Sequence, residues 1–165
     1  MQSLLPKVLE ALRKELGEYG EMLTLLDHQR EHVLSRNGTE VLQTVAAIQH
    51  QAENIRTARS AREGCQQEIA GVLKKPANAA MAVILPLLPE NHRFQLAALV
   101  RENNDLMTRV QQRARQNHLL LSRSLELMQR FMNTLIPSAA PATYTGAGQI
   151  QARTLPGQPL YEAIG

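Results

Sequence analysis

The sequence predicts an all-α protein: an antiparallel helical bundle built on a coiled-coil hairpin, with three long helices, one short apolar helix and a flexible C-terminal tail. Three observations predict it. The chain has no Trp and few Phe or Tyr, while Leu, Ala, Gln, Glu and Arg are abundant, a usage typical of long helices and unfavourable to sheet. Apolar residues recur in steps of three and four through three long stretches. The signals that end helices cluster at Asn37-Gly38, in the interval Pro76 to Pro89, and in the chain after Pro137. The organisation that follows is a helical domain over residues 1–136 and a Pro/Ala/Gly/Thr-rich tail over 137–165.

The first helix is expected to start at Ser3 as N-cap, with Pro6 tolerated in the first turn, where its missing N–H is not needed. Leu5, Leu9, Leu12, Leu16, Tyr19, Leu23, Leu26 and Val33 form its seam, broken only at Arg30. Gly17 and Gly20 lie off or beside that seam, which leaves a bend or a close approach open. Asn37-Gly38 is the expected stop and Thr39 the N-cap of the second helix, a connection so short that the two helices form an antiparallel hairpin. In the second helix Val41, Val45, Ile48, Ala52, Ile55, Ile69 and Leu73 keep the spacing, but Arg59, Arg62 and Gln66 interrupt it, so the far end of the hairpin is poorly apolar.

Pro76 closes the second helix. Residues 77–88 are an apolar segment divided by Pro86, predicted to form a short helix from Asn78 as N-cap to near Leu85 that plugs one end of the bundle. The last helix is predicted from Asn91 to Ile136, free of Gly and Pro and roughly 65 Å long. Its first stripe is Leu99, Leu106, Val110, Leu120, Leu127 and Phe131, with Asn103, Arg113, Asn117 and Ser124 in the same register. A second stripe, Leu121, Leu125, Met128, Met132 and Leu135, lies beside it in the last four turns. One stripe needs one neighbour; two adjacent stripes need a bundle, a second chain or a partner. Core packing and partner binding are both open for these residues. After Pro137 the composition offers too little apolar surface to offset ordering entropy, and the tyrosines at 144 and 161 are its candidate anchors.

Chemistry is scarce. The single cysteine, Cys65, permits no intramolecular disulfide, suits a reducing cytoplasm, and has no catalytic motif around it. His28 and His32 share a helix face without a third ligand, and no Glu-x-x-His pair occurs, so neither a metal nor a cofactor is expected. No phosphate loop, nucleophile elbow or dinucleotide fingerprint exists, and no enzymatic activity is expected. No apolar run approaches the roughly 20 residues that span a bilayer, and the first twenty residues lack a signal-peptide core, so membrane insertion and secretion are not expected. The net charge is only +3, but residues 90–136 hold seven basic and four acidic side chains. Arg101, Arg109, Arg113, Arg115, Arg123 and Arg130 are spread around the helix without aromatics to stack bases, which fits a solvated surface or an acidic protein segment better than a nucleic acid.

The long hairpin, the proline-bracketed apolar segment, Arg101-Glu102-Asn103-Asn104, Gln116-Asn117-His118-Leu119-Leu120 and then Thr143-Tyr144-x-Gly146 together resemble the FlgN family of flagellar export chaperones. The resemblance covers nearly all of residues 1–150. It implies a cytoplasmic helical protein that binds hook-associated (hook–filament junction) proteins through a terminal amphipathic helix of the cargo, keeps them from premature assembly and delivers them to the flagellar type III export apparatus. Carried over by position, Leu120, Leu121, Leu125, Met128, Phe131, Met132 and Leu135 become cargo contacts, and Tyr144 with Gly146 a docking point for the export machinery. The rival reading is a self-assembling structural bundle, a homo-oligomer that uses the same double stripe on its own copies, with a nucleic-acid binder a distant third.

Overall fold

A computed structural model describes residues 3–135. The element order is α1 (Leu4–Leu34), α2 (Gly38–Val72), α3 (Met81–Ile84), a 3-10 turn (Leu85–Leu87) and α4 (Glu90–Leu135). The all-α hairpin architecture is the one the sequence predicts, with differences at the caps. Ser3 is the N-cap of α1, but its side chain makes no capping bond. The α1–α2 turn is closed by Arg36, at φ 57°, rather than by Gly38. Its N–H donates to the Val33 carbonyl at 3.2 Å and that of Asn37 to His32 at 2.9 Å, the paired bonds of a Schellman cap. Lys74, at φ 54°, closes α2 in the same way. Asn37, not Thr39, caps α2: its Oδ1 accepts from the Glu40 N–H at 3.4 Å. Asn78 is likewise not a cap, since α3 begins only after Ala80. The last helix starts at Glu90, with the Pro89 carbonyl accepting from the His92 and Arg93 N–H groups at 3.1 Å. A Cβ added at Gly17 or Gly20 would meet nothing within 4 Å, so neither glycine serves a close approach.

The chain divides into two compact units, Met1–Ser124 and Leu125–Gly165. The first holds two apolar clusters. At one end Leu5, Val8, Leu9 and Leu12 of α1 meet Ile69 and Ala70 of α2, Leu96 of α4, and Ala79, Met81, Ile84 and Leu88 of the short apolar segment, which is the plug expected from its composition. Each buried Leu, Ile, Val or Met side chain contributes roughly 1.5–3 kcal/mol, the alanines less. Further along, Met22, Leu26 and Ile48 form a smaller cluster, joined by Val110 and Ala114 of α4.

Between the clusters lies a polar belt. The buried seam of α1 runs through Val8, Leu12, Glu15, Tyr19, Met22, Leu26 and Gln29, whereas Leu16 and Leu23, which the apolar pattern selects, are only half-buried. The rotation of the face has a physical cause in the interruptions of α2. Arg62 Nε donates to Glu15 at 2.7 Å, the Tyr19 hydroxyl donates to Glu15 at 3.1 Å, and Arg59 donates to the Tyr19 oxygen at 2.7 Å. Arg62 also donates to Gln66 at 2.7 Å, and Gln66 in turn donates to the Ala79 carbonyl at 2.7 Å, tying the plug segment to the belt. A carboxylate is thus buried where two guanidinium groups can reach it.

Burial, reinforced by the Glu15 charge and opposed by the Arg59 bond, holds the Tyr19 hydroxyl above its ordinary value of 10.0. The folded chain therefore keeps this proton where the unfolded chain has lost it. The contribution is fully present below pH 10.0 and lost as pH rises through the folded value. Urea unfolding should show a steeper fall in stability from about pH 9 to about pH 11 in the unmodified chain than in Tyr19→Phe, which has no proton to lose. Equal slopes would contradict this.

Two asparagines fix α4 against α1. Asn103 Nδ2 donates to the Leu12 carbonyl at 3.0 Å and Asn117 Nδ2 to the Leu26 carbonyl at 2.6 Å, and in both pairs the residue numbers differ by 91. A constant offset means that α1 and α4 run parallel, in one register over two heptads. Carried to Leu34, the last residue of α1, the offset reaches residue 125, and the first unit accordingly ends at Ser124. The polar breaks of the predicted α4 stripe are therefore its most buried members, Asn103 and Asn117, while Leu99, Leu106 and Val110 are only half-buried.

Candidate partner-binding site

In the second unit the described residues are the last turns of α4, and the large apolar side chains between 125 and 132 face solvent. Leu125 is 53%, Leu127 65%, Met128 61%, Phe131 63% and Met132 54% exposed. Leu125, Met128 and Met132 follow each other at three- and four-residue steps, and Leu127 and Phe131 make the adjacent row. Large apolar side chains so concentrated and so uncovered are the mark of an interaction surface, because a monomer gains nothing by leaving them in water. The methionines add adaptability, having no branched carbon and a polarisable sulfur.

Leu120 and Leu121 belong to the first unit and are half-buried, and Leu119 beside them is 58% exposed. Leu120 lines a cleft of about 680 Å³ between α1 and α4, together with Leu23 and Leu34 of α1. The basic side chains there are Arg30 of α1 and Arg109, Arg113 and Arg123 of α4. Arg113 Nε is paired with Asp27 at 2.9 Å, and the Asn117 amide closes the floor. Leu135 is helical, Tyr144 and Gly146 lie outside the described residues, and so does the tail 137–165.

Three features of the surface are absent from the site residues read from sequence. Leu127 lies in the first α4 stripe and Leu119 in neither, and exposure is what separates both from core. The α1 wall of the cleft required the offset between α1 and α4, which the repeated Asn103 and Asn117 signal without naming their partners. Among the described residues no three His, Cys, Asp or Glu side chains come together as a metal site would require, and no helix is long and apolar enough to cross a membrane. Cys65 is half-buried against the larger apolar cluster.

The family model described as FlgN protein matches residues 1–152. No curated protein and no solved structure matches the chain.

Proposed function

The chain belongs to the FlgN family of flagellar export chaperones, and on that premise we propose that it holds hook-associated proteins in the cytoplasm before export, by covering an amphipathic terminal helix of the cargo. The observation that carries this reading is the exposed double row Leu125, Leu127, Met128, Phe131 and Met132. A cargo helix whose apolar face would otherwise drive assembly is masked when laid along such a row, and both surfaces leave water together. The same stretch includes the positions Leu120, Leu121, Leu125, Met128, Phe131, Met132 and Leu135 assigned to cargo contact. Tyr144 and Gly146, within the matched residues, are the proposed docking point for the export apparatus. Nothing in this role requires catalysis, a cofactor or nucleic acid.

Co-purification and sizing with hook-associated proteins, full-length and C-terminally truncated, test the reading. A defined complex with the full-length cargo, lost on truncation, is the expected result. No complex with any of them, accompanied by a discrete homo-oligomer of the free chain, would instead assign the double row to self-assembly.

A further inference from the structure

The cleft between α1 and α4 in the first unit has a charge that the described residues do not balance. Among the described residues Arg30, Arg109 and Arg123 have no carboxylate partner, and the one acidic residue lining the cleft, Asp27, is already taken by Arg113 at 2.9 Å. Four guanidinium groups against one carboxylate leave an excess of positive charge around an apolar floor of the half-buried Leu23 and Leu120. Like charges gathered without counter-charges repel one another, and a partner that brings carboxylates relieves the repulsion as it binds. The volume of about 680 Å³ takes several side chains rather than a whole helix, so an occupant lies across the mouth and inserts one face.

We propose that this cleft is a docking site for an acidic amphipathic helix of a partner protein, with leucine-like side chains on the floor and glutamate or aspartate residues flanking them, received by Arg30, Arg109 and Arg123. The inference deepens the chaperone reading and rests on it for the partner being a helix; the sign of the partner's charge comes from the cleft alone. The chain's own tail is not the occupant, since residues 137–165 carry a single carboxylate, Glu162, and a single arginine, Arg153. A guanidinium is suited to this task because its planar fork donates two parallel bonds to a carboxylate.

The test uses the full-length chain and two labelled synthetic helices of about five turns, one with a leucine stripe flanked by glutamates and a twin with lysine at every glutamate position. Fluorescence anisotropy should show the glutamate helix binding about tenfold more tightly than its twin, a preference that collapses at about 1 M salt, where the screening length falls to about 3 Å. Arg109→Glu/Arg123→Glu should invert the preference, and Arg30→Glu, on the other wall, should reduce it independently. All three side chains are exposed, so circular dichroism should be unchanged. Equal affinity for the two helices, binding to neither, or a preference untouched by the reversals would overturn the proposal. A dimer of the free chain that the reversals dissociate would do so as well, since the occupant would then be a second copy. A hook-associated complex unaffected by the reversals sinks this inference and leaves the chaperone reading standing. A glutamate preference without any hook-associated complex does the opposite.

Discussion

Phe131→Asp is expected to abolish retention of a hook-associated protein while leaving the free chain's melting transition where it was. The expectation rests on Phe131 being 63% exposed among the described residues, so its replacement takes little from the fold. An aromatic anchor buried at the centre of an interface is worth about 2–4 kcal/mol, a weakening of about 30- to 1,000-fold when it is lost, and an aspartate adds the cost of desolvating a charge against the cargo's apolar face. Leu125→Asp, in the adjacent row at 53% exposure, should weaken retention by a similar mechanism. Pull-down with the cargo, paired with thermal unfolding of the free variants, reads both quantities. Retained binding in Phe131→Asp would remove this row from the cargo surface. Lost binding together with a lowered transition would mean that Phe131 supports the fold.

The fold was legible because three long apolar periodicities and three clusters of breakers agree with one another, and each helix is found within a few residues of its predicted bounds. The direction of burial was less legible. In α1 the apolar pattern selects Leu16 and Leu23, but at those levels the buried face turns toward Glu15, Met22 and Gln29, because α2 presents Arg62 to Glu15 and α4 presents Asn117 to Gln29. A polar residue in a seam reads as an interruption when its partner lies 47 or 88 residues away, as Arg62 does from Glu15 and Asn117 from Gln29. The same limit applies to the cleft. Arg109, Arg113 and Arg123 are spread around α4 by number, and only the offset of 91 brings them together with Arg30 and Asp27. By contrast the row Leu125, Met128, Phe131 and Met132 is visible in spacing within one helix, since it is an excess of apolar residues on a single element.

Glu15→Ala should be among the most destabilising single changes in the first unit, at about 3 kcal/mol, against a total of roughly 5–15 kcal/mol for a domain of this kind. Its carboxylate is 5% exposed and bonded to Arg62 at 2.7 Å, with Arg59 at 3.7 Å. Removing it leaves the Arg62 guanidinium, only 19% exposed, with the half-exposed Glu63 at 3.2 Å as its one remaining carboxylate among the described residues, and leaves the Tyr19 hydroxyl without its acceptor. Arg59, at 44% exposed, can return to water and adds little. The loss therefore comes from the stranded partner and not from the bond itself, and the two are separable. Glu15→Leu/Arg62→Leu removes both charges and restores apolar volume, so it should recover most of the stability lost in Glu15→Ala. Urea unfolding of the three chains measures the cycle. A loss below about 1 kcal/mol in Glu15→Ala would mean that Arg62 escapes into the neighbouring cleft of about 450 Å³ and is re-solvated there, making the belt energetically a surface pair. A double variant no more stable than Glu15→Ala would mean that the bond network through Gln66 to Ala79, and not charge neutralisation, is what the belt supplies.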